Sequence, residues 1–251
     1  MPTKNHVHCV RRMVVVQGSW EGWISLSVKT LIIRGVNGPL LTSFRNFTSI
    51  TSLYIEEIPN VKGLPNDFLQ NHTLLDHLNI DKLRNLESLS NKILDNLFAL
   101  KSLEIRNCDK LESLPEEGLQ KLHSSEVLRI YQCRRLYSLP INGLCGLSSL
   151  RRLWIQSCAK FAYLFERVRY LTTLENLSPY DCPGLNSLPK SIQHLISLWS
   201  LSIWYCKGIN FFSKSDWISQ VLFMLGDSGL PYFGVFARWG TESQQPQQVD
   251  N

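Results

Sequence analysis

The residues of this 251-residue chain best suited to chemistry are its seven cysteines, and five of them are evenly placed. Cys108, Cys133, Cys158, Cys182 and Cys206 follow one another at intervals of 25, 25, 24 and 24 residues. Paired thiols form disulfides, and thiolates at ligand spacing hold zinc. The sequence offers neither arrangement: there is no CxxC pair, no histidine stands beside the five, and the total is odd. The even interval makes each cysteine a position in a repeated unit, so all five are expected as reduced, buried thiols in a reducing compartment. Cys9 and Cys145 lie outside the series. His6 and His8 flank Cys9 in a segment read as a loose terminus, because no further ligands occur at metal spacing. The chain also has no GxxxxGK[ST] loop, GxSxG elbow, HExxH or GxGxxG, so no catalytic residue, cofactor or metal is expected, and the chain is not expected to be an enzyme.

The unit that carries each cysteine is clearest from Leu100 to Pro115, LKSLEIRNCDKLESLP. Its second leucine, Leu103, has equivalents at Leu53, Leu78, Leu128, Leu153, Leu177 and Leu201. In Leu103-Glu104-Ile105 apolar residues alternate as in a half-buried strand, so Leu103 and Ile105 point inward while Ser102, Glu104 and Arg106 point outward. Cys108 follows where the chain turns, as a small buriable side chain with a weak S–H donor for a nearby carbonyl. Ile58 and Leu83 stand at the cysteine place in two earlier units, which marks that place as one of packing. Leu111 and Leu114 cover the core again, and Pro115 stops the strand-like path. In the segment that returns to the next strand, Leu119 and Leu122 are three apart, so one helical turn buries both.

A period of 20 to 29 residues with L-x-x-L-x-L-x-x-(N/C)-x-L is the signature of a leucine-rich repeat. The expected fold is therefore α/β: a leucine-rich repeat solenoid, or horseshoe, with a parallel concave β-sheet and short helical or irregular convex segments. Residues 25–210 form that domain, with seven or eight repeats beginning at a degenerate unit of Val28, Leu31, Ile33 and Val36. Residues 1–24 are expected to be irregular. In 211–240, Ser215 to Gly226 reads as an apolar helix that caps the last repeat, and the glutamine-rich tail 241–251 reads as disordered. Pro179 occupies an inward strand position, where its missing N–H predicts a local break.

Function is expected on the outward strand positions, which are free of the core and line one continuous face. In order the face runs from acidic (Glu56, Asp81) through basic (Arg106, Arg129, Arg152) to aromatic (Tyr131, Trp154, Tyr180, Trp204). Arginine with tryptophan and tyrosine is the composition that anchors protein interfaces. A solvated face with scattered aromatics, or single-stranded RNA stacked between arginines and rings, would use the same residues. The net charge of +5 is mild and no dense Lys/Arg run accompanies it, which disfavours nucleic acid. No signal-peptide core or membrane span is expected. Three sequons, at Asn46, Asn71 and Asn176, keep a secreted reading open.

The pattern LxxLxIxxCxxLxSLP, with LPEEGLQKL and LPKSIQHL between copies, resembles the C-terminal repeats of plant coiled-coil NB-LRR disease resistance proteins over about residues 26–209. The NxLxGxIP pattern of extracellular plant repeats does not occur. The resemblance implies a cytoplasmic module of plant defence and innate immunity. It would recognise a pathogen effector or guarded host protein, or restrain the receptor's own nucleotide-binding (NB-ARC) domain. The concave residues above would be the recognition residues. The coiled-coil and nucleotide-binding portions have no counterpart here, so a truncated product or fragment is expected and no ATP chemistry is assigned. A general scaffold that binds through its convex side, and a secreted inhibitor of a pathogen enzyme, remain the alternatives.

Overall fold

A computed structural model describes residues 6–10, 13–17, 28–209 and 236–238. Eleven strands lie in one sheet in chain order: β1 His6–Val10, β2 Met13–Gln17, β3 Thr30–Arg34, β4 Ser52–Glu56, β5 His77–Asp81, β6 Ser102–Arg106, β7 Val127–Tyr131, β8 Arg152–Gln156, β9 Asn176–Tyr180, β10 Ser200–Trp204 and β11 Phe236–Arg238. From β2 onward neighbours run parallel, and β1 pairs antiparallel with β2. The returns hold 3₁₀ turns at Gly38–Asn46, Asn91–Leu94, Gly143–Gly146, Glu166–Tyr170 and Lys190–His194, and one short helix, α1, at Glu116–Gln120. A crossover of this length has no room for a long helix, so the layer behind the sheet stays thin. The architecture is that of an α/β leucine-rich repeat solenoid.

Register follows the repeat without slippage, because slipping one residue would turn every leucine to the wrong face. Leu53, Leu78, Leu103, Leu128, Leu153, Leu177 and Leu201 pair in succession and are all buried. Val28, Leu31, Ile33 and Val36 of the degenerate first unit are buried too, and Leu119 and Leu122 close over the core beside α1. Ser125, which stands in a leucine place, is buried and satisfied: its Oγ donates to the Leu100 carbonyl at 2.8 Å.

The step from strand to cysteine has a backbone cause. Strict alternation would send Cys108 outward, since Ile105 points in and Arg106 out. Asn107 takes φ of 53° and shifts the phase by one residue, which returns Cys108 to the core. Glu57, Lys82, Gln132, Ser157, Asp181 and Tyr205 make the same left-handed step, with φ from 50° to 56°. Backbone bonds hold it: Gln132 N–H donates to the Gln156 carbonyl at 2.8 Å, and Asn107 N–H to that of Tyr131 at 2.9 Å. Each such residue stores strain that the stacked neighbours must offset.

The five ladder cysteines are buried, with free thiols. Cys158 Sγ donates to the Gln156 carbonyl at 3.4 Å, and Cys182 Sγ reaches both Ile155 and Tyr180 carbonyls at 3.5 Å. Burial pushes the Cys158 thiol up to about 12, so at neutral pH it stays protonated and can donate. A bond to the Cys108 thiol, together with burial, raises Cys133 as well.

Two expectations are corrected. Residues 1–24 are not irregular throughout: His6–Val10 and Met13–Gln17 form a hairpin, and β2 joins β3 in parallel with Val14 and Val16 buried against Leu31 and Ile33. The Met13-Val14-Val15-Val16 run, too short for a leader, is the right length for a strand. At Pro179 the strand does not break; Pro179 is paired with Ile155 inside β9. The interruption is confined to the far side. Glu175 C=O and Asp181 N–H both bond β10, so position 179 faces β10 as well, and the β9–β10 pairs skip Ser178 and Pro179. The proposed helix Ser215–Gly226 and the tail 241–251 lie outside the described residues.

Candidate functional site

Parallel in-register strands sort the outward side chains into three columns. The first is Ser52, His77, Ser102, Val127, Arg152, Asn176 and Ser200. The second begins Tyr54, Asn79, Glu104, Arg129, Trp154 and Ser178; the third is Glu56, Asp81, Arg106, Tyr131, Gln156, Tyr180 and Trp204. All are half-buried or exposed except Val127, which is 7% accessible and belongs to the core edge instead.

The structure brings together some of the predicted residues and separates others. Arg129 and Trp154 share the second column, and the guanidinium carbon lies 4.1 Å from the indole ring centre. Arg106 and Tyr131 share the third column with the corresponding distance of 5.2 Å. Both pairs place a cation over an aromatic face from the next strand. Trp154 is fixed from its other edge, where Nε1 donates to Asn176 Oδ1 at 2.8 Å. Tyr180 and Trp204 are register partners on β9 and β10, and Tyr180 also packs edge-on against Tyr205 with ring centres 5.4 Å apart. Gln156 stands between Tyr131 and Tyr180 in the third column, so the rings do not form one unbroken stripe. Arg152 lies apart in the first column and is exposed. Burial pushes the Tyr131 phenol up, which keeps it a neutral hydroxyl.

The charges are not equal in availability. Glu56 pairs with Arg34 of β3. Glu104 is used on both oxygens, by Arg106 at 2.5 Å and by Asn79 Nδ2 at 2.9 Å. Asp81 Oδ1 accepts from Asn107 Nδ2 at 2.7 Å, and Glu57 pairs with Lys82 at 2.8 Å. By contrast, no ion pair forms at Arg129 or Arg152 among the described residues. The gradient read from the sequence, acidic to basic to aromatic, is thus a gradient of residue types; among the described residues of this face, the arginines outside any ion pair are those of β7 and β8.

Sequence reasoning missed a second aromatic group off the concave face. Tyr137 and Tyr163 meet edge-on with ring centres 5.5 Å apart, and Tyr163 stacks on Phe165 at 6.5 Å. Their signal was present: Tyr163 and Phe165 replace Ser and Pro in the Ser-Leu-Pro of the unit, and a short parallel bridge from Ser138 through Tyr163 to Ser187 lines them up. Among the described residues no group of three or more His, Cys, Asp or Glu side chains is placed to hold a metal ion.

Fold and face together define a leucine-rich repeat solenoid with an arginine–aromatic cluster on its concave sheet. No family model and no curated protein matches the chain. Solved structures are similar to it at low identity. A chain of the Drosophila Toll–Spatzle complex is 16% identical with a TM-score of 0.49, over 76% of this chain and 30% of that one. The leucine-rich repeat domain of the type III effector XopL is 22% identical with a TM-score of 0.42, over 68% of this chain and 74% of that domain. The leucine-rich repeat ectodomain of the Arabidopsis thaliana receptor kinase GASSHO1/SCHENGEN3, in complex with CASPARIAN STRIP INTEGRITY FACTOR 2, is 17% identical with a TM-score of 0.39, over 75% and 26%. This chain therefore spans less than a third of the Toll-complex chain and about a quarter of the plant ectodomain.

Proposed function

We propose that the concave face is a protein-recognition surface, and that the chain serves as the recognition module of an intracellular plant immune receptor. The ligand would be a pathogen effector, a guarded host protein or the receptor's own nucleotide-binding domain. The single observation behind this is the stacked Arg129–Trp154 pair on an open sheet: a rigid, half-buried anchor of the residue types that carry interface energy. The repeat pattern's resemblance to plant disease resistance proteins supports the finer role, and a ladder of free buried thiols suits a cytoplasmic location. A two-state restraint on a nucleotide-binding domain would need a ligand that binds the two states unequally, and a broad concave sheet can make such differential contacts.

The test is capture from plant cytosol by the full chain, comparing wild type with Arg152→Glu plus Trp154→Ala, with captured proteins identified by mass spectrometry. Loss of an interface anchor is expected to weaken binding by on the order of 30-fold, equivalent to about 2 kcal/mol. A nucleotide-binding domain or effector retained by wild type and lost by the variant supports the reading. Equal capture by both would move the interface off the concave face, toward the Tyr137–Tyr163 group, and favour a scaffold.

A further inference from the structure

Resting on the concave-face reading, we infer that the partner presents an acidic polypeptide segment, with at least one carboxylate seated between Arg129 and Arg152. Among the described residues, Glu104 satisfies Arg106 and no carboxylate meets these two. They sit on adjacent strands, one column apart, with Trp154 beside both. A strand separation of about 4.8 Å and a two-residue rise of about 6.6 Å put their α-carbons roughly 8 Å apart, which two long side chains can bridge to one carboxylate.

With its guanidinium carbon 4.1 Å from the Trp154 ring centre, Arg129 is anchored on the indole, and a guanidinium carries five N–H donors in a fixed fork that can take a carboxylate in two parallel bonds. Trp154 is held by Asn176, so the receiving group is already positioned before a ligand arrives. The flanks limit the choice of anion. Toward β4 the face carries Glu56, Asp81 and Glu104, all half-buried. Toward β10 it carries Ser178, Ser200 and Ser202, and then Tyr180 and Trp204. A polyphosphate strand would have to cross the carboxylates with, among the described concave residues, two arginines outside any ion pair to neutralise it, whereas nucleic-acid binding draws on many. A peptide with an acidic residue followed toward β10 by an apolar or aromatic one matches the whole run.

The probe is a phage-displayed library of random dodecapeptides selected on the full-length chain, with the recovered peptides measured by fluorescence anisotropy. The expected result is enrichment in Asp and Glu, binding that weakens as salt rises, and a loss of about tenfold or more in Arg129→Gln plus Arg152→Gln, since charged hydrogen bonds are worth more than neutral ones. Arg34→Gln, whose charge already answers Glu56, is expected to leave binding within about twofold. If the double variant does not fold by circular dichroism, Arg152→Gln alone carries the comparison. Recovered peptides that lack acidic residues but lose binding in Trp154→Ala would overturn the acidic partner and leave concave recognition standing. Peptides indifferent to every concave substitution overturn both. No recovery of peptides, or binding of oligouridylate that depends on the same two arginines in their place, overturns the acidic-peptide assignment.

Discussion

The strands β4 to β6 and the strands β7 to β9 have the same backbone and opposite electrostatic characters. Both groups share register, the left-handed step after each strand, and a buried Leu-x-Ile core that only β9 varies, to Leu-x-Pro. In the first group three carboxylates are answered by cations, Glu56 by Arg34, Glu57 by Lys82 and Glu104 by Arg106, and Asp81 accepts from the Asn107 amide. In the second, Arg129 meets the Trp154 ring and the Tyr131 phenol rather than a carboxylate, and Arg152 is answered by no carboxylate among the described residues. Since the scaffold is constant, the difference resides entirely in residues the core does not constrain. A solenoid of this kind separates what makes it fold from what it presents.

The largest way to break the comparison is to disturb the scaffold under one half only. A β-carbon at Gly146 would fall 2.0 Å from the Gln120 carbonyl oxygen and 2.2 Å from its α-carbon, backbone that cannot swing aside. Gly146→Ala is expected to cost about 3 kcal/mol, seen as a fall of roughly 10 °C in the thermal melt. Gly63 lies under the other half, and its nearest neighbour would be 3.8 Å away. Gly63→Ala should melt within about 2 °C of wild type, the range of an ordinary surface substitution. Equal shifts in the two variants would mean that the halves are not separately packed.

Next in size is an imperfection in the first half. His72 stands where later repeats place Leu97, Leu122, Leu147, Leu171 and Leu195, and it is fully buried with neither ring nitrogen in a well-formed hydrogen bond, although the Phe44 and Leu69 carbonyls approach it. Burial holds its imidazole below the ordinary histidine range, against an opposing pull from the Phe44 and Leu69 carbonyls. Above about pH 6.5 folded and unfolded chains are both neutral here; below it the unfolded chain takes up a proton that the folded one resists, so stability falls with pH. His72→Leu is expected to gain about 1–2 kcal/mol at pH 7.5 by removing two buried polar atoms that lack well-formed bonds. It should also abolish a loss of at most about 1.4 kcal/mol between pH 7.5 and 5.5. Urea titrations of both proteins at the two pH values read this directly, and parallel losses would show that the acid sensitivity lies elsewhere.

How much of this was legible in the sequence depends on which atoms carry the information. Leucine spacing reports side chains entering a shared core, so strands, register and the cysteine ladder could be read from Leu53 to Leu201. The left-handed step was not legible, because Glu57, Lys82, Asn107, Gln132, Ser157, Asp181 and Tyr205 share no residue type; neighbouring strands, rather than local propensity, impose the conformation. The β1–β2 hairpin was missed because it departs from the period, and Pro179 was misjudged because a proline removes one donor on one side without displacing the strand. On the face, residue types were legible but pairing was not. That Glu104 consumes Arg106 while Arg129 meets no carboxylate among the described residues is a fact of rotamers within one column and its neighbour.

That pairing gives the smallest and sharpest test of the comparison. Glu104→Gln keeps the shape of the side chain and can retain the bond to Asn79, but it frees the Arg106 guanidinium from its carboxylate. Partly exposed ion pairs contribute little, so stability should change by less than about 1 kcal/mol. The electrostatic boundary, however, moves one strand toward β4, and three arginines instead of two face the ligand. Acidic peptides are expected to bind about threefold more tightly, or roughly 0.6 kcal/mol, with a steeper dependence on salt. Glu56→Gln is the matched control: Arg34 lies on β3, three strands beyond the Arg106 strand, so freeing it should change affinity by less than about twofold at physiological ionic strength. If the two substitutions raise affinity equally, the ligand senses the net charge of the whole face, and the division into a self-neutralised half and a receptive half fails.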